Sequence, residues 1–401
     1  MKNKAKELLE YTKHQLQSLL FHYEYRTSPK HFTRESILGF ANTAFIVLHM
    51  IKKSIKAELM DYFYEINKEI DVPSRQALSQ AREKISYLAF KDFFEKSCEL
   101  AADDEGAKKH KGYRIFAVDG TSFVVGVLRK LEDYFGKSTT VKDKAMCRIS
   151  AVVDILNNCI VNAVVSPFSV GERKLALKQI EELKAAKNAL FLFDRGYWSV
   201  GLVSKIIQNE QKFLMRIQGS NLNAAKKQKL RCYSFILPGG NEEILVTNLS
   251  EDEMSDNDLV CLYAKRWGIE TKYLELKDRL QIDKFSGESS NIVLQDIYST
   301  LYISNLVAFL CFESDELIKE KIADKGNKYE QKTNRSTCIS ALRKRFVDIC
   351  LLENPLRRDA ALQRLVKDIS KDVTYAGKSK PRPRNNNHHK GHRKDSSKPI
   401  L

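Results

Sequence analysis

The sequence predicts an α/β protein: a mixed sheet flanked by helices, set between a helical N-terminal segment and a helical C-terminal region. Three observations predict it. Residues 1 to about 108 alternate charged and apolar residues at helical spacing, with little glycine and few β-branched runs. From residue 112 the chain turns to β-branched and aromatic runs interleaved with helical patterns. Residues 291–320 and 334–370 are helical again.

In the N-terminal segment, Val72-Pro73-Ser74 breaks the pattern and starts a fresh helix, with Pro and Ser where a cap is wanted. In the RQALSQAREKI that follows, Leu78, Ala81 and Ile85 form one face, and Arg75, Ser79 and Arg82 form the outer one. A short helix with Arg and Ser outward suits phosphate or groove contact, which makes Arg75 and Arg82 candidate DNA-binding residues. An ordinary surface helix is the plainer reading.

GYRIFAVDGTSFVVGV, residues 112–127, reads as a strand ending at Asp119-Gly120. Residues 146–155 and 159–165 flank Asn157-Asn158 and form a hairpin, with Asp154 near its turn. Residues 172–187, ERKLALKQIEELKAAK, are helical by composition. Residues 189–193 are a short continuous apolar run, a buried strand, ending in Asp194-Arg195-Gly196-Tyr197, and 200–208 are a helix. Further strands (KFLMRI, CYSFIL, EEILVTN) fall between 211 and 249, around a Lys- and Asn-rich loop at 220–229. Ser250 and Glu253 stand at capping-box spacing, with helix expected beyond them.

The stretch 263–277, YAKRWGIETKYLELK, carries the densest chemistry. On one continuous α-helix, Tyr263, Arg266, Glu270 and Lys277 share a face about 60° wide. Ile269, Tyr273, Leu276 and Leu280 make the neighbouring core face. A lone acid among cations suits a carboxylate that holds a metal while the cations hold phosphate; a solvated amphipathic helix is the alternative. Gly268 argues against a helix there.

With 401 residues, 43% hydrophobic and 29% charged, the chain affords two or three globular domains. Its net charge of +16 favours polyanions, nucleic acid first. Residues 378–398 hold eight Lys or Arg against one Asp, so +7 of the charge belongs to a basic tail too polar to fold alone. The eight cysteines include no pair closer than twelve residues, which excludes Cys-x-x-Cys and zinc spacing and reads as buried reduced thiols. MKNKAKELLEYTKHQ lacks a signal-peptide core, and no stretch reads as apolar enough to span a bilayer. An intracellular protein without a membrane partner is expected.

Asp119, Asp194 and Glu270 are 75 and 76 residues apart. Singly, each has an ordinary reading as turn, N-cap or ion-pair partner. Together they fit phosphodiester chemistry, in which two hard cations are clamped by a few carboxylates. No nucleophile arrangement or Gly-rich phosphate loop competes.

Here the sequence resembles a family: the DDE transposases of bacterial insertion sequences, in the group marked by Tyr-x2-Arg-x3-Glu-x6-Lys (the insertion-sequence family four type). Tyr263, Arg266, Glu270 and Lys277 match that signature without a gap. Asp119 in AVDGTS and Asp194 in FLFDRGYWS match its two aspartate motifs, and HFTRESI and SRQALSQAREKI look like its leader. The resemblance covers roughly residues 30–320. It implies a ribonuclease-H-like core over 111–320 with a β-rich insertion near 210–250, behind a helical DNA-binding domain over 1–110 and ahead of a helical region over 321–377. It implies that Asp119, Asp194 and Glu270 bind two Mg²⁺ ions, with Mn²⁺ as a substitute, and that Tyr263, Arg266 and Lys277 hold phosphates near the cleaved end. It further implies double-stranded DNA partners (terminal inverted repeats and target), a homodimer in the DNA complex, and a bacterial cytoplasmic, nucleoid-associated location. A catalytically dead regulator of the same fold, or a nuclease without strand transfer, are the alternatives. The intact acids argue against the first.

Overall fold

The computed structural model describes residues 1–49, 54–66, 71–137, 144–237, 240–322 and 329–376. In chain order the elements are α1 (Lys4–Gln17), α2 (Leu19–Tyr25), α3 (Phe40–Leu48), α4 (Ile55–Ile66), α5 (Arg75–Glu83), α6 (Leu88–Ala102), β1 (Arg114–Gly126), α7 (Arg129–Phe135), β2 (Ala145–Asp154), β3 (Cys159–Pro167), α8 (Glu172–Glu182), β4 (Ala189–Phe193), α9 (Val200–Gln208), β5 (Lys212–Ile217), α10 (Leu222–Lys227), β6 (Arg231–Ile236), β7 (Glu242–Thr247), α11 (Asp256–Ala264), α12 (Gly268–Leu274), α13 (Ser290–Ile322), β8 (Glu330–Thr333), α14 (Arg335–Leu351), α15 (Pro355–Ile369) and β9 (Val373–Ala376). They divide into two compact units, Ala101–Glu275 and Met1–Leu100 with Leu276–Leu401.

The first unit is built on a seven-stranded mixed sheet ordered β3-β2-β1-β4-β5-β7-β6. β1, β2 and β3 form an antiparallel meander, and β4 and β5 run parallel to β1. The strands read as β4 (ALFLF) and the β2–β3 hairpin form where the sequence places them. β4 is buried along its whole length, as a central strand covered on both faces must be. The β-rich insertion does not stand apart: β7 pairs antiparallel with β5 and β6 closes the edge, so the insertion extends the sheet. The Lys-rich stretch expected as a loop holds the short helix α10.

Two local readings need correction. β1 does not end at Asp119-Gly120 but continues to Gly126, because β2 pairs with it as far as Gly126. Ser250 and Glu253 do make the reciprocal capping bonds, at 2.8 and 3.2 Å, but they close a turn. The helix starts later, at Asp256, under a second capping box from Ser255 and Asp258.

Asp154 is explained by structure alone. It lies buried, ion-paired to buried Arg114 at 2.6 Å, and accepts from the Leu156 and Asn157 amides at 3.1 and 3.0 Å. It locks the hairpin turn and satisfies a buried guanidinium.

The other unit is organised by α13, a 33-residue helix with every residue from Ile292 to Cys311 buried. A helix apolar on all sides must be covered on all sides. α1, α3, α5, α14 and α15 pack against it, which explains why the N- and C-terminal parts of the chain join in one unit. The sequence groups 276–320 with the sheet; contact places it with the helices. By length and hydropathy α13 is a candidate membrane span, contrary to the sequence reading, and 94% of its apolar window is buried in protein. The small sheet β8–β9 was not foreseen.

α5 carries the clearest correction. Ser74 caps it by accepting from the Ala77 amide at 3.1 Å, and Leu78, Ala81 and Ile85 are buried as expected. Arg75 and Ser79 are exposed. Arg82 is not on the outer face: it is 2% exposed, ion-paired to Asp296 of α13 at 2.8 Å, and donates to Gln295 at 3.0 Å. One more turn of helix carries the polar stripe under α13, where Asp296 and Gln295 supply the acceptors. Arg82→Ala leaves Asp296 buried without its cation, so a loss of about 3–5 kcal/mol is expected. Thermal melting checks it: a melting temperature equal to the parent's, with weakened DNA binding, would restore the outer-face reading.

Candidate active site

Register places the first two acids side by side. In the parallel pair, Ala117 of β1 stands opposite Leu192 of β4. Two residues further along each strand are Asp119 and Asp194. The next parallel pair sets Phe193 of β4 opposite Met215 of β5, and one residue beyond lie Asp194 and Arg216. Arg216 Nη2 is 2.9 Å from Asp194 Oδ1. The sequence reading missed Arg216, although KFLMRI beside FLFD in parallel register brings the pair together.

Asp194 follows β4 and caps the 3-10 turn Arg195–Tyr197, its carboxylate accepting from the Arg195 amide at 2.7 Å. Burial raises its pKa, but the Arg195 amide, Arg216 and Arg266 outweigh burial and hold it below the usual range. Asp119 is tuned the other way. Burial, with like charge from Glu172 and Glu270, pushes it up to about 6 against the Gly120 amide and Arg266. Two neighbouring aspartates thus differ because one has a guanidinium at contact distance.

The 263–277 stretch is not one α-helix. α11 ends at Ala264, a 3-10 turn spans Lys265–Trp267, α12 runs from Gly268, and a π-helical turn covers Glu275–Arg279. Tyr263, Arg266 and Glu270 still share a face. The Arg266 guanidinium lies 5.9 Å from the centre of the Tyr263 ring and donates to Glu270 Oε1 at 3.0 Å. The Tyr263 hydroxyl donates to Asp194 at 3.4 Å. Gly268 has a positive reason: a Cβ there would stand 3.1 Å from Ile155. Its absence lets α12 lie close to the hairpin.

Tyr273 fixes that helix to the sheet. Buried on the core face as predicted, its hydroxyl donates to the Asp119 carbonyl at 2.7 Å. Lys272, also buried, donates to the Asn158 carbonyl and to Glu275, each at 3.0 Å. Glu270 is therefore delivered to the strand ends by two anchors on its own helix. Lys277 lies half-buried in the π-helical turn, at the start of the other unit. Arg75 is on α5 in that unit, and residues 378–398 lie outside the described residues.

The structure thus brings together Asp119, Asp194, Glu270, Tyr263 and Arg266. Among the described residues no three His, Cys, Asp or Glu side chains are gathered tightly enough to hold a metal ion. Arg216 engages Asp194 and Arg266 engages Glu270. The donors are nonetheless all carboxylate oxygens, the set a hard divalent ion takes. Removing the Arg216 charge (Arg216→Ala) is expected to raise the Asp194 titration midpoint toward its ordinary value, as read by ¹³C-carboxyl NMR. An unmoved midpoint would mean that Arg216 does not set it.

The family profile described as Transposase DDE domain matches residues 110–306. Transposase InsG for insertion sequence element IS4, from Escherichia coli (strain K12), is 22% identical over 294 residues, covering 65% of this chain and 66% of the relative. "Putative transposase InsZ" of the same organism is 25% identical over 144 residues, covering 34% and 46%. The chain thus spans less than two-thirds of either relative's length. Among solved structures, the piggyBac transposase synaptic complex with hairpin DNA is similar at a TM-score of 0.49 and 10% identity, covering 93% of this chain and 83% of that one. By these matches residues 110–306 are a transposase DDE domain, and the chain is similar to the transposases of bacterial insertion sequences.

Proposed function

We propose that the protein is a cut-and-paste transposase: it binds the terminal inverted repeats of its own insertion sequence, cleaves the ends and joins the freed 3′ ends to target DNA. One observation carries the reading. Asp119 inside β1 and Asp194 just past the end of the adjacent parallel strand β4 stand at matching positions, and Glu270 is on a helix that Tyr273 pins to the Asp119 carbonyl. The order β3-β2-β1-β4-β5, with three antiparallel strands followed by two parallel ones, supports a ribonuclease-H-like core.

In this reading Asp119, Asp194 and Glu270 hold two Mg²⁺ ions, or Mn²⁺ in their place. Bound there, the cations supply an activated water or hydroxyl and a stabilised leaving oxygen. The chain's own residues do the rest. Arg266 exchanges its Glu270 partner for a DNA phosphate, which it grips as a planar fork. Tyr263, its phenol pKa raised by burial and by Asp194, stays protonated and remains a donor. Lys277 adds a point charge on the same stretch. Arg75, exposed on α5, is a phosphate contact of a helical DNA-binding segment. The net charge of +16 supplies the non-specific attraction for duplex DNA. The acting form is a homodimer holding two ends, in the bacterial cytoplasm at the nucleoid.

The first test incubates the protein with labelled DNA bearing the inverted repeats that flank its gene, in Mg²⁺ and then in Ca²⁺. Mg²⁺-dependent cutting at the repeat boundary is expected. Ala at Asp119, Asp194 or Glu270 should reduce cutting by at least about a thousandfold, on the scale of groups that act directly on the transition state, with binding retained. Cutting by Glu270→Ala at the parent rate would sink the assignment; parental binding with no cutting in any metal would favour the regulator. Deleting residues 378–401 should weaken binding to all DNA and flatten the dependence of affinity on salt. An unaltered slope would remove the tail from DNA contact.

A further inference from the structure

We infer that Glu172 is a fourth carboxylate of this site, set beside Asp119 and positioned by Arg148, with the buried, unpartnered Tyr197 hydroxyl as a donor available to these acids. The inference rests on the transposase reading and adds residues to it. Glu172 opens α8, and an acid in a first helical turn is ordinarily explained by the helix dipole. Three observations go beyond that explanation.

First, the backbone next to Asp119 leaves room for this side chain. A Cβ on Gly120 would lie 2.9 Å from Glu172 Oε1 and 3.1 Å from its Cγ. The residue following Asp119 is a glycine inside a paired strand, where its φ calls for none. Secondly, the start of α8 is tied down on two sides. Arg148 of β2 donates to the Val170 carbonyl at 2.5 Å, and its Nε lies 3.5 Å from Glu172 Oε1. Arg173 donates to the Gly196 carbonyl at 2.7 Å, which binds the helix to the turn capped by Asp194. The Glu172 side chain remains 41% exposed, so ions reach it.

The third observation is independent of the acids. Tyr197, in the DRGY turn after Asp194, is 2% exposed and its hydroxyl has no hydrogen-bond partner. A buried donor without an acceptor costs about 1–3 kcal/mol. Burial, and then the charges of Asp119 and Glu172, raise the pKa of that hydroxyl, so it stays a donor. A buried hydroxyl without a partner is a donor suited to a carboxylate oxygen of this site. Groups that orient metal ligands commonly matter as much as this: losing one costs about 10–100-fold in metal affinity.

The test measures Mn²⁺ affinity of the full chain by the free-ion electron paramagnetic resonance signal, alongside melting temperature. Four variants are compared with the parent: Asp119→Asn, Glu172→Gln, Tyr197→Phe and Gly120→Ala. Glu182→Gln, on the same helix, serves as control. Asp119→Asn should lose most binding. Glu172→Gln and Tyr197→Phe should each weaken it about ten-fold, with melting unchanged or, for Tyr197→Phe, raised. Gly120→Ala should reproduce the Glu172→Gln loss by displacing the carboxylate. Parental affinity in Glu172→Gln and Gly120→Ala, with Asp119→Asn defective, would overturn this inference and leave the transposase reading intact. Parental affinity in Tyr197→Phe, with Glu172→Gln weakened, would remove Tyr197 from the role. Undiminished binding in Asp119→Asn would overturn the transposase reading itself.

Discussion

The parallel pairing of β4 between β1 and β5 is the constraint on which the site depends. Three chain segments far apart in sequence reach the same level of the sheet there, and they deliver Asp119, Asp194 and Arg216 in a row. Parallel strands need crossover connections, and their central member has both faces covered. β4 meets this with five residues of continuous apolar side chain. Because a one-residue slip turns every side chain to the opposite face, the register that buries Phe191 and Phe193 also sets the direction of Asp194.

Charge balance is the second theme. Three acids and two guanidiniums occupy one region, and their present pairing is Asp194 with Arg216 and Glu270 with Arg266. Asp119 is buried with only distant cation help, so its carboxyl is pushed up to about 6. In the proposed reading this arrangement is poised for exchange: a divalent ion would compete for the acids, and phosphate for Arg266. In low dielectric such swaps retain most of the Coulomb attraction, because each charge keeps a partner. Arg216, which also pairs with Glu243 at 2.9 Å, can release Asp194 without becoming an uncompensated charge.

Elsewhere the same residue types do purely structural work. Arg114 with Asp154, and Arg82 with Asp296, are buried pairs that tie a turn and a helix into place. Eight free thiols, six of them buried, likewise act as small apolar side chains.

The sequence by itself determined the strands β1 to β7, the helices α8 and α9 among them, the two aspartate motifs, and the partners on the Tyr-Arg-Glu face, because periodicity and short motifs are local properties. It also marked Ile269, Tyr273, Leu276 and Leu280 as core, and all four are buried. Tertiary structure decided what local pattern cannot carry. Arg82 looked outward on a helical wheel, but a wheel does not show that α13 passes beneath with Asp296 ready. Residues 276–320 follow the 263–275 stretch in sequence, yet a helix buried on every side had to be enclosed by helices from both ends of the chain. Gly268 looked like a helix breaker until its neighbour Ile155 came within 3.1 Å of where a Cβ would stand. Arg216, Glu172 and Tyr197 gained meaning only from register and packing, since which side chains meet across strands is a long-range fact.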